Sequence, residues 1–247
     1  MTLDARVETV LDAQGATLGE RLEPKHRPLV VELIGPAGSG KTTLARALCR
    51  RPDVTVGIEL PRSDHVPHVI HHSLLLLPVF VGVGGDGGWL SWKEMRSMTY
   101  LRAWPRQLTR SGTKQAVTVL DHGPVFRLAR LRAFGPRITR SASFERWWEA
   151  SLGIWSGLLH AVIALDAPNE VLVDRIRSRE EAHRIKAESR SEAETFLRRY
   201  RAAYHEILEK LEGGPQLLRV DTSKKSPEQV TATAGELLAQ LAGGTPA

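Results

Sequence analysis

Nine residues near position 40 combine glycines and other small residues with one cation and several hydroxyl groups, a composition suited to holding phosphate. They are Gly35, Pro36, Ala37, Gly38, Ser39, Gly40, Lys41, Thr42 and Thr43. The first eight match the pattern G-x-x-x-x-G-K-[ST], in which glycines let backbone N–H groups approach phosphate oxygens closely. We predict that the nine residues bind the phosphates of ATP, with Lys41 as a catalytic residue and Thr42 as a magnesium ligand.

The residues on either side of this loop predict the two elements that would position it. Leu29 to Ile34 is an apolar run of strand length, and Thr42 to Arg50 has a helical pattern. A phosphate-binding loop requires this order of strand, loop and helix, because the N-terminus of the helix adds positive potential. This context disfavours the alternative, a chance glycine-rich turn.

Four further β-rich segments alternate with helical patterns along the chain. The predicted strands are Leu29 to Ile34, Val54 to Leu60, Ala116 to Asp121, Ala161 to Asp166 and Gln216 to Asp221. Such alternation predicts an α/β fold, a three-layer P-loop sandwich whose five-stranded parallel sheet is covered by helices on both faces. Residues 1–28 are expected to form an extension and linker, and residues 29–247 one domain. An aromatic stripe that includes Trp148 and Trp155 is expected to be core.

Composition and charge narrow the class of protein. An apolar fraction of 42% and a charged fraction of 25% are typical of globular proteins, and no apolar run reaches the roughly 20 residues of a membrane span. The net charge of +6 comes from arginines scattered beside glutamates, which indicates solvated helix faces and disfavours nucleic acid as a partner. A single cysteine, Cys49, and an N-terminus unlike a secretory signal predict a cytoplasmic location, with Cys49 buried. A homodimer is left open.

The second and third predicted strands lie far apart in the sequence. About 55 residues separate them, many more than in a usual connection. We therefore predict an insertion at about 61–115 that covers the substrate and forms the pocket for a small-molecule acceptor. Its four neighbouring histidines are not accompanied by cysteines or a Glu-x-x-His pattern, so no metal site is predicted there.

Two carboxylates close predicted strands. Glu59 lies near the end of the second strand and Asp121 ends the third. Ligands of open α/β sheets bind beyond the carboxyl ends of strands, so either acid can face the reaction. We predict Asp121 as a second magnesium ligand and Glu59 as the residue that faces the acceptor, and leave open which of them serves as the base. The alternative for Asp121 is to cap a helix that begins near Val125.

A phosphate-binding loop occurs in several classes of protein, and other motifs must separate them. A GTPase would show an Asn-Lys-x-Asp motif after a later strand, and the sequence has none. An AAA-type ATPase would close an apolar run with Asp-Glu, whereas the third strand continues into Asp121, His122 and Gly123. We therefore expect neither class.

Four segments in a fixed order resemble the thymidylate kinase and nucleoside kinase families. The first is the phosphate-binding loop itself. The second is residues 161–179, similar to the family strand that leads into a lid at about 175–191, and this resemblance implies that Arg175, Arg179 and Arg184 close over the transferring phosphoryl group. Residues 196–204 look like the helix after the lid, and residues 220–230 like the loop that packs on adenine.

The sequence departs from thymidylate kinases mainly where their acceptor binds. Ala37 replaces the usual acid of the loop, and residues 183–186 read His-Arg-Ile-Lys where the family has Asp-Arg-x-Glu. The resemblance therefore implies a kinase that uses ATP and magnesium on another nucleoside, nucleotide or hydroxyl metabolite, and thymidine monophosphate is expected to be a poor acceptor. The alternative is a regulatory P-loop ATPase that binds nucleotide without a phosphoryl acceptor.

Overall fold

In a computed structural model of the chain, the structure describes residues 28–57, 90–110, 116–180 and 183–243. Glu59 lies outside these ranges, as do residues 1–27 of the extension. Of the predicted insertion, residues 61–89 and 111–115 lie outside as well, including its four histidines. The predictions for these residues stay predictions.

The sheet confirms the predicted five parallel strands, but the second is shorter than the predicted Val54 to Leu60. It ends at Val56, Gly57 after it has a left-handed φ of 88°, and residues 58–60 lie outside the described ranges. The five strands are β1 (Leu29–Ile34), β2 (Val54–Val56), β3 (Val117–Asp121), β4 (Ala161–Asp166) and β5 (Gln216–Asp221). Their order across the sheet is β2-β3-β1-β4-β5, and every neighbouring pair is parallel. Since β1 lies in the centre, the loop that follows it lies between the carboxyl ends of β3 and β4.

Helices cover both faces of this sheet. They are α1 (Lys41–Leu48), α2 (Trp92–Arg110), α3 (Pro124–Phe134), α4 (Ala142–Ser156), α5 (Asn169–Ser178), α6 (Arg190–Lys210) and α7 (Pro227–Gly243), with 3₁₀ turns at Arg137–Arg140 and Arg184–Lys186. One core layer joins α1 and α7 to Val31 and Leu33 of β1, and the other joins α2, α3, α4 and α6 to Val30 and Ile34. The strand is therefore buried on both faces, as the predicted three-layer sandwich requires. Among the described residues, none of these helices is long and apolar enough to span a membrane.

The aromatic stripe of α4 is core, as predicted. Phe144, Trp148 and Trp155 are fully buried. The indole N–H of Trp148 donates to the carbonyl oxygen of Leu128 on α3 at 3.3 Å, and that of Trp155 to Leu101 on α2 at 3.0 Å. Each tryptophan thus combines apolar burial with a satisfied polar group, and α4 fixes the positions of α2 and α3.

The prediction that Cys49 is buried is wrong. The buried face of α1 consists of Leu44, Ala45 and Leu48. Cys49 follows the last of them as the C-terminal cap, where the chain enters a turn, and it is exposed.

Candidate active site

The loop between β1 and α1 has a backbone that only glycine readily adopts. Gly35, Gly38 and Gly40 have φ angles of 144°, 84° and 94°. A Cβ atom at Gly35 would lie 2.1 Å from the carbonyl oxygen of Leu165, and one at Gly38 would lie 2.8 Å from that of Leu172. The glycines of the motif therefore let the loop pack directly against the end of β4 and against α5.

The N-terminus of α1 is open to an anion. Its cap is Gly40, its first turn carries no acid, and no side chain of the described residues accepts a hydrogen bond from its first N–H groups. The hydroxyl group of Ser39 is buried and has no hydrogen-bond partner within the described ranges. Free N–H groups at a helix N-terminus and a buried hydroxyl without a partner together suit a phosphate group.

Lys41 folds back beneath the loop. Its Nζ donates to the carbonyl oxygens of Gly35 and Pro36, at 2.8 and 2.9 Å. Burial lowers the pKa of Lys41 to about 8, Asp121 acts in the opposite direction, and Arg179 lowers the pKa further. A neighbouring anion favours the charged form of a lysine, so a bound phosphate would restore the full charge.

A cavity of about 250 Å³ opens in front of the loop. Beyond the loop residues and Thr42, its lining comes from His122 and Phe126 after β3, Arg179 and His183 of the predicted lid, and Phe196 and Tyr200 of α6. The loop and the lid therefore contribute cations to the lining, and the turn after β3 and α6 contribute aromatic rings. The structure brings Lys41, Thr42 and Arg179 together, as the sequence predicted.

Asp121 lies beside the end of β1, where the register of the sheet pairs it with Leu33. Its Oδ1 is buried, lies 3.4 Å from Nδ1 of His122 and accepts no hydrogen bond from the part of the chain that the structure describes. Burial lowers the pKa of His122, so the imidazole is neutral near pH 7 and this contact is not an ion pair. The alternative role of Asp121 as a helix cap is excluded, because the first N–H groups of α3 donate to Glu32 instead.

The residues at the loop suit magnesium only in combination with phosphates. Within the described part of the chain, no group of three or more His, Cys, Asp or Glu side chains could hold a metal ion. The unpartnered oxygen of Asp121 and the hydroxyl of Thr42 are the oxygen ligands that magnesium prefers. Magnesium usually completes its octahedron with substrate phosphates and water, so this sparse donor set fits the ion that arrives with a nucleotide.

His122 is a residue of the site that no sequence pattern predicted. Its φ of 62° makes it the single non-glycine residue with positive φ in the described part of the chain. Its ring lies edge-on to Phe126, with centroids 4.5 Å apart. No local sequence signal marks this conformation, and strained backbone of this kind concentrates at functional sites.

A pair of substitutions tests whether His122 is held in the left-handed conformation. We expect His122→Ala to be less stable than His122→Gly by about 1 kcal/mol, because only glycine adopts positive φ without cost. Urea unfolding of both variants measures the difference, and both lack the imidazole, which removes its loss from the comparison. Equal stability would show that the turn relaxes and is not fixed by its surroundings.

Arg175 does not line the cavity in front of the loop. Its guanidinium donates to the hydroxyl and the carbonyl oxygen of Thr222, at 3.0 and 2.8 Å. It lines a second cavity of about 310 Å³ behind the loop, together with Thr43, Lys225 and Arg179. Of the three predicted lid arginines, Arg179 therefore lines both cavities, Arg175 lines the second alone, and the side chain of Arg184 is outside the described residues.

Comparisons with solved structures return nucleotide-binding proteins of low identity. A deoxyadenosine kinase from M. mycoides with bound dCTP is 15% identical, with a TM-score of 0.46, and the match covers 85% of this chain and all of that one. The YorR protein from Bacillus subtilis, in complex with phosphorylated GDP, is 14% identical, with a TM-score of 0.48 and coverage of 85% and 96%. At these identities and scores neither match carries an argument about what this chain binds. Among curated protein sequences, none matches the chain.

A protein-family model gives the clearest relationship. The AAA_33 family, described as an AAA domain, matches residues 30–204, from β1 through the loop and the lid to α6. The expectation that the chain is not an AAA-type protein is therefore wrong. It relied on the missing Asp-Glu pair, and this family member has Asp121 at the end of β3 followed by His122. Since the model matches well over half of the 247 residues, the chain belongs to the AAA_33 family of P-loop proteins.

Proposed function

We propose that the protein is an ATP-dependent phosphotransferase that moves the γ-phosphoryl group of Mg-ATP to a small-molecule acceptor. The observation that carries the proposal is the composition of the cavity in front of the loop. Lys41 and Arg179 supply cations to its lining, and the rings of His122, Phe126 and Tyr200 supply an aromatic wall for a second reactant. A protein that only binds or hydrolyses nucleotide has no need of such a wall.

The loop, the lid and the end of β3 each have a role in the proposed reaction. The N–H groups at the start of α1 hold the phosphates, and Lys41 turns from the loop carbonyls to the transferring group. Arg179 reaches the same group from the lid, so the two cations stabilise charge that spreads over its equatorial oxygens. Thr42 and Asp121 would hold magnesium, which would supply positive charge to the phosphates of the nucleotide.

The second cavity suits the base and sugar of the nucleotide. It continues behind the loop, past Thr43, to Thr222 and Lys225 of the segment between β5 and α7. The sequence of this segment resembles the loop that packs on adenine in the nucleoside kinase families. The two hydrogen bonds from Arg175 tie that segment to α5, so they would fix the width of the base groove.

The acceptor is proposed to be a nucleoside, nucleotide or hydroxyl metabolite other than thymidylate. Ala37 lines the cavity and offers no carboxylate to a sugar, which supports an acceptor other than the one that thymidylate kinases use. The parallel rings of Phe126 and Tyr200, 6.1 Å apart, suit an acceptor with an apolar face. Glu59 or Asp121 would accept the proton of a hydroxyl acceptor, and a phosphate acceptor needs no base.

A search for product tests the proposal directly. The protein is incubated with Mg-ATP and pools of metabolites, and products that gain a phosphoryl group are identified by mass spectrometry. We expect a phosphorylated acceptor that is absent from the same incubation with Lys41→Ala. Formation of only ADP and inorganic phosphate, at a rate that no pool changes, would contradict a transferase and favour the regulatory ATPase.

The two arginines of the lid segment are expected to give different kinetic effects. Arg179→Ala should lower the maximal rate more than the ATP affinity, because its guanidinium reaches the phosphates preferentially in the transition state. Arg175→Ala is the matched control, since it lies one helical turn away and contacts Thr222. Its removal should weaken ATP binding with a smaller loss of rate. Identical effects of the two variants on both constants would show that they share one role.

A further inference from the structure

Glu32 is a fully buried carboxyl group in the middle of the central strand. It interrupts the apolar sequence of β1 and points to the same side of the sheet as Val30 and Ile34, which belong to the core layer under α3. Burying such a group costs free energy unless its oxygens find partners. A role is therefore needed to explain its position.

Both oxygens of Glu32 bind the N-terminus of α3. Oε2 accepts from the N–H of Val125 at 2.8 Å, and Oε1 from that of Phe126 at 2.9 Å. The helix has no other side-chain cap, since its N-cap residue is Gly123. Burial raises the pKa of Glu32 to about 8, against the effects of these two N–H groups and of Arg127. Each oxygen can accept one N–H in either protonation state.

The anchored N–H groups lie only a few residues beyond Asp121. Between them the chain turns through His122, with its positive φ, and Gly123. A Cβ atom at Gly123 would lie 2.7 Å from Cδ of Glu32, so the turn rests directly on this carboxyl group. On its other side the turn is fixed by the pairing of Asp121 with Leu33 in the sheet. The turn that carries Asp121 and His122 is therefore held at both ends.

We infer that Glu32 is a positioning residue: by binding the first N–H groups of α3 it sets the place of Asp121 and His122 at the phosphate-binding loop. This inference rests on the proposed function, in which Asp121 holds the magnesium of Mg-ATP. A helix cap without such a role would stabilise α3 and leave the site unchanged. The two possibilities differ in whether the site responds when Glu32 is altered.

Glu32→Gln separates them with two measurements. The amide keeps the shape of the side chain but presents an NH₂ group to one of the two N–H donors, so we expect exchange of the Val125 and Phe126 amide hydrogens to accelerate by about tenfold or more. The second measurement is the factor by which Mg²⁺ raises the affinity for ATP, determined by calorimetry with and without the ion. We expect this factor to fall by about tenfold, in line with losses of metal affinity when a supporting residue is removed.

Thr118→Val is the matched control. Thr118 lies on β3 beside Val30, it is buried, and its hydroxyl has no hydrogen-bond partner. This variant alters a buried polar group on the strand beside β1 and leaves the carboxyl group of Glu32 and its two hydrogen bonds in place, so both measurements should stay as in the wild type. Faster amide exchange in Glu32→Gln with an unchanged effect of Mg²⁺ would overturn the inference and leave Glu32 as a cap.

Asp121→Asn, measured in parallel, separates this inference from the proposed function. If Asp121→Asn abolishes the effect of Mg²⁺ and Glu32→Gln does not, the magnesium role of Asp121 stands and the role of Glu32 is wrong. If only Glu32→Gln changes the effect of Mg²⁺, Glu32 acts on the site and the assignment of Asp121 as a magnesium ligand is wrong. If neither variant changes that effect, both the role of Glu32 and the role of Asp121 are wrong.

A second route covers the case that Glu32→Gln does not fold. Gly123→Ala places a methyl group against Cδ and Cγ of Glu32 and against Cβ of Leu120, whereas Glu32→Asp removes one methylene group, withdraws the carboxyl group from α3 and relieves the first of these two contacts. We expect each single variant to weaken the effect of Mg²⁺ on ATP binding and the double variant to recover part of the loss, because the shorter side chain makes room for the methyl group. Simply additive losses would contradict a direct link between residue 32 and the turn.

Discussion

Replacing Lys41 with alanine is expected to lower phosphoryl transfer by about three orders of magnitude and to leave the fold intact. In the proposed reaction the ammonium group is one of two cations that reach the transferring phosphoryl group, and charge stabilisation of this kind is worth most in a site shielded from water. The fold should survive, because among the described residues the Nζ of Lys41 donates to the loop carbonyls of Gly35 and Pro36 and to no group of the core. The apolar face of α1 consists of Leu44, Ala45 and Leu48, which the substitution does not touch.

Arg46→Ala provides the control for this substitution. Arg46 lies on the exposed side of the same helix, so its removal changes the net charge and the helix without touching the loop. Initial rates of product formation and thermal unfolding would be measured for both variants. A folded Lys41→Ala variant that keeps the wild-type rate would exclude the loop as the site of transfer, whatever the acceptor is.

The parts of the fold that could be predicted are those that short segments encode. An apolar strand, a glycine-rich loop and a helix follow each other directly, and parallel pairing then brings Asp121 to the same edge of the sheet as the loop. Lys41, Thr42 and Arg179 lie together for the same reason, since they come from segments beside the carboxyl ends of β1 and β4. Local patterns thus sufficed for the sheet and for the phosphate half of the site.

The parts that could not be predicted depend on contacts between distant residues. Glu32 caps a helix that begins about 90 positions later, and no residue of β1 predicts this partner. The same holds for the turn at His122, whose left-handed backbone is imposed by what lies on either side of it. An acid inside an apolar strand was the available signal, and its proper interpretation was a buried polar group in need of donors.

The lid arginines show that a resemblance can identify the right segment without predicting the contacts of each side chain. Arg175 and Arg179 are four residues apart, a spacing that puts two side chains on one face of a continuous helix. The helix α5 ends at Ser178, however, and Arg179 has extended backbone angles. Its side chain therefore leaves the face that carries Arg175. As a result Arg179 lines the cavity in front of the loop, whereas Arg175 donates to Thr222.

Replacing Asp121 with asparagine is expected to lower the transfer rate by about a hundredfold and to raise the magnesium concentration needed for half-maximal rate by about tenfold. Asparagine keeps the shape of the side chain but removes the negative charge that favours a divalent cation at Oδ1, the oxygen that is buried without a hydrogen-bond partner. The loss should appear with every acceptor, because magnesium serves the nucleotide and not the second substrate.

Asp166→Asn is the matched control, because Asp166 ends β4 on the other side of β1 but is bound to Arg201 at 2.8 Å. Its substitution should leave the magnesium titration unchanged.

Glu59→Gln completes the comparison. It should reduce transfer to a hydroxyl acceptor most strongly and leave Mg-ATP binding near normal, because a base acts on the acceptor alone. If Glu59→Gln shifted the magnesium titration and Asp121→Asn did not, the two carboxylates would have to exchange roles. The orphaned oxygen of Asp121 would then need another cation as its partner, and Lys41, which Asp121 already influences, is the candidate within the described part of the chain.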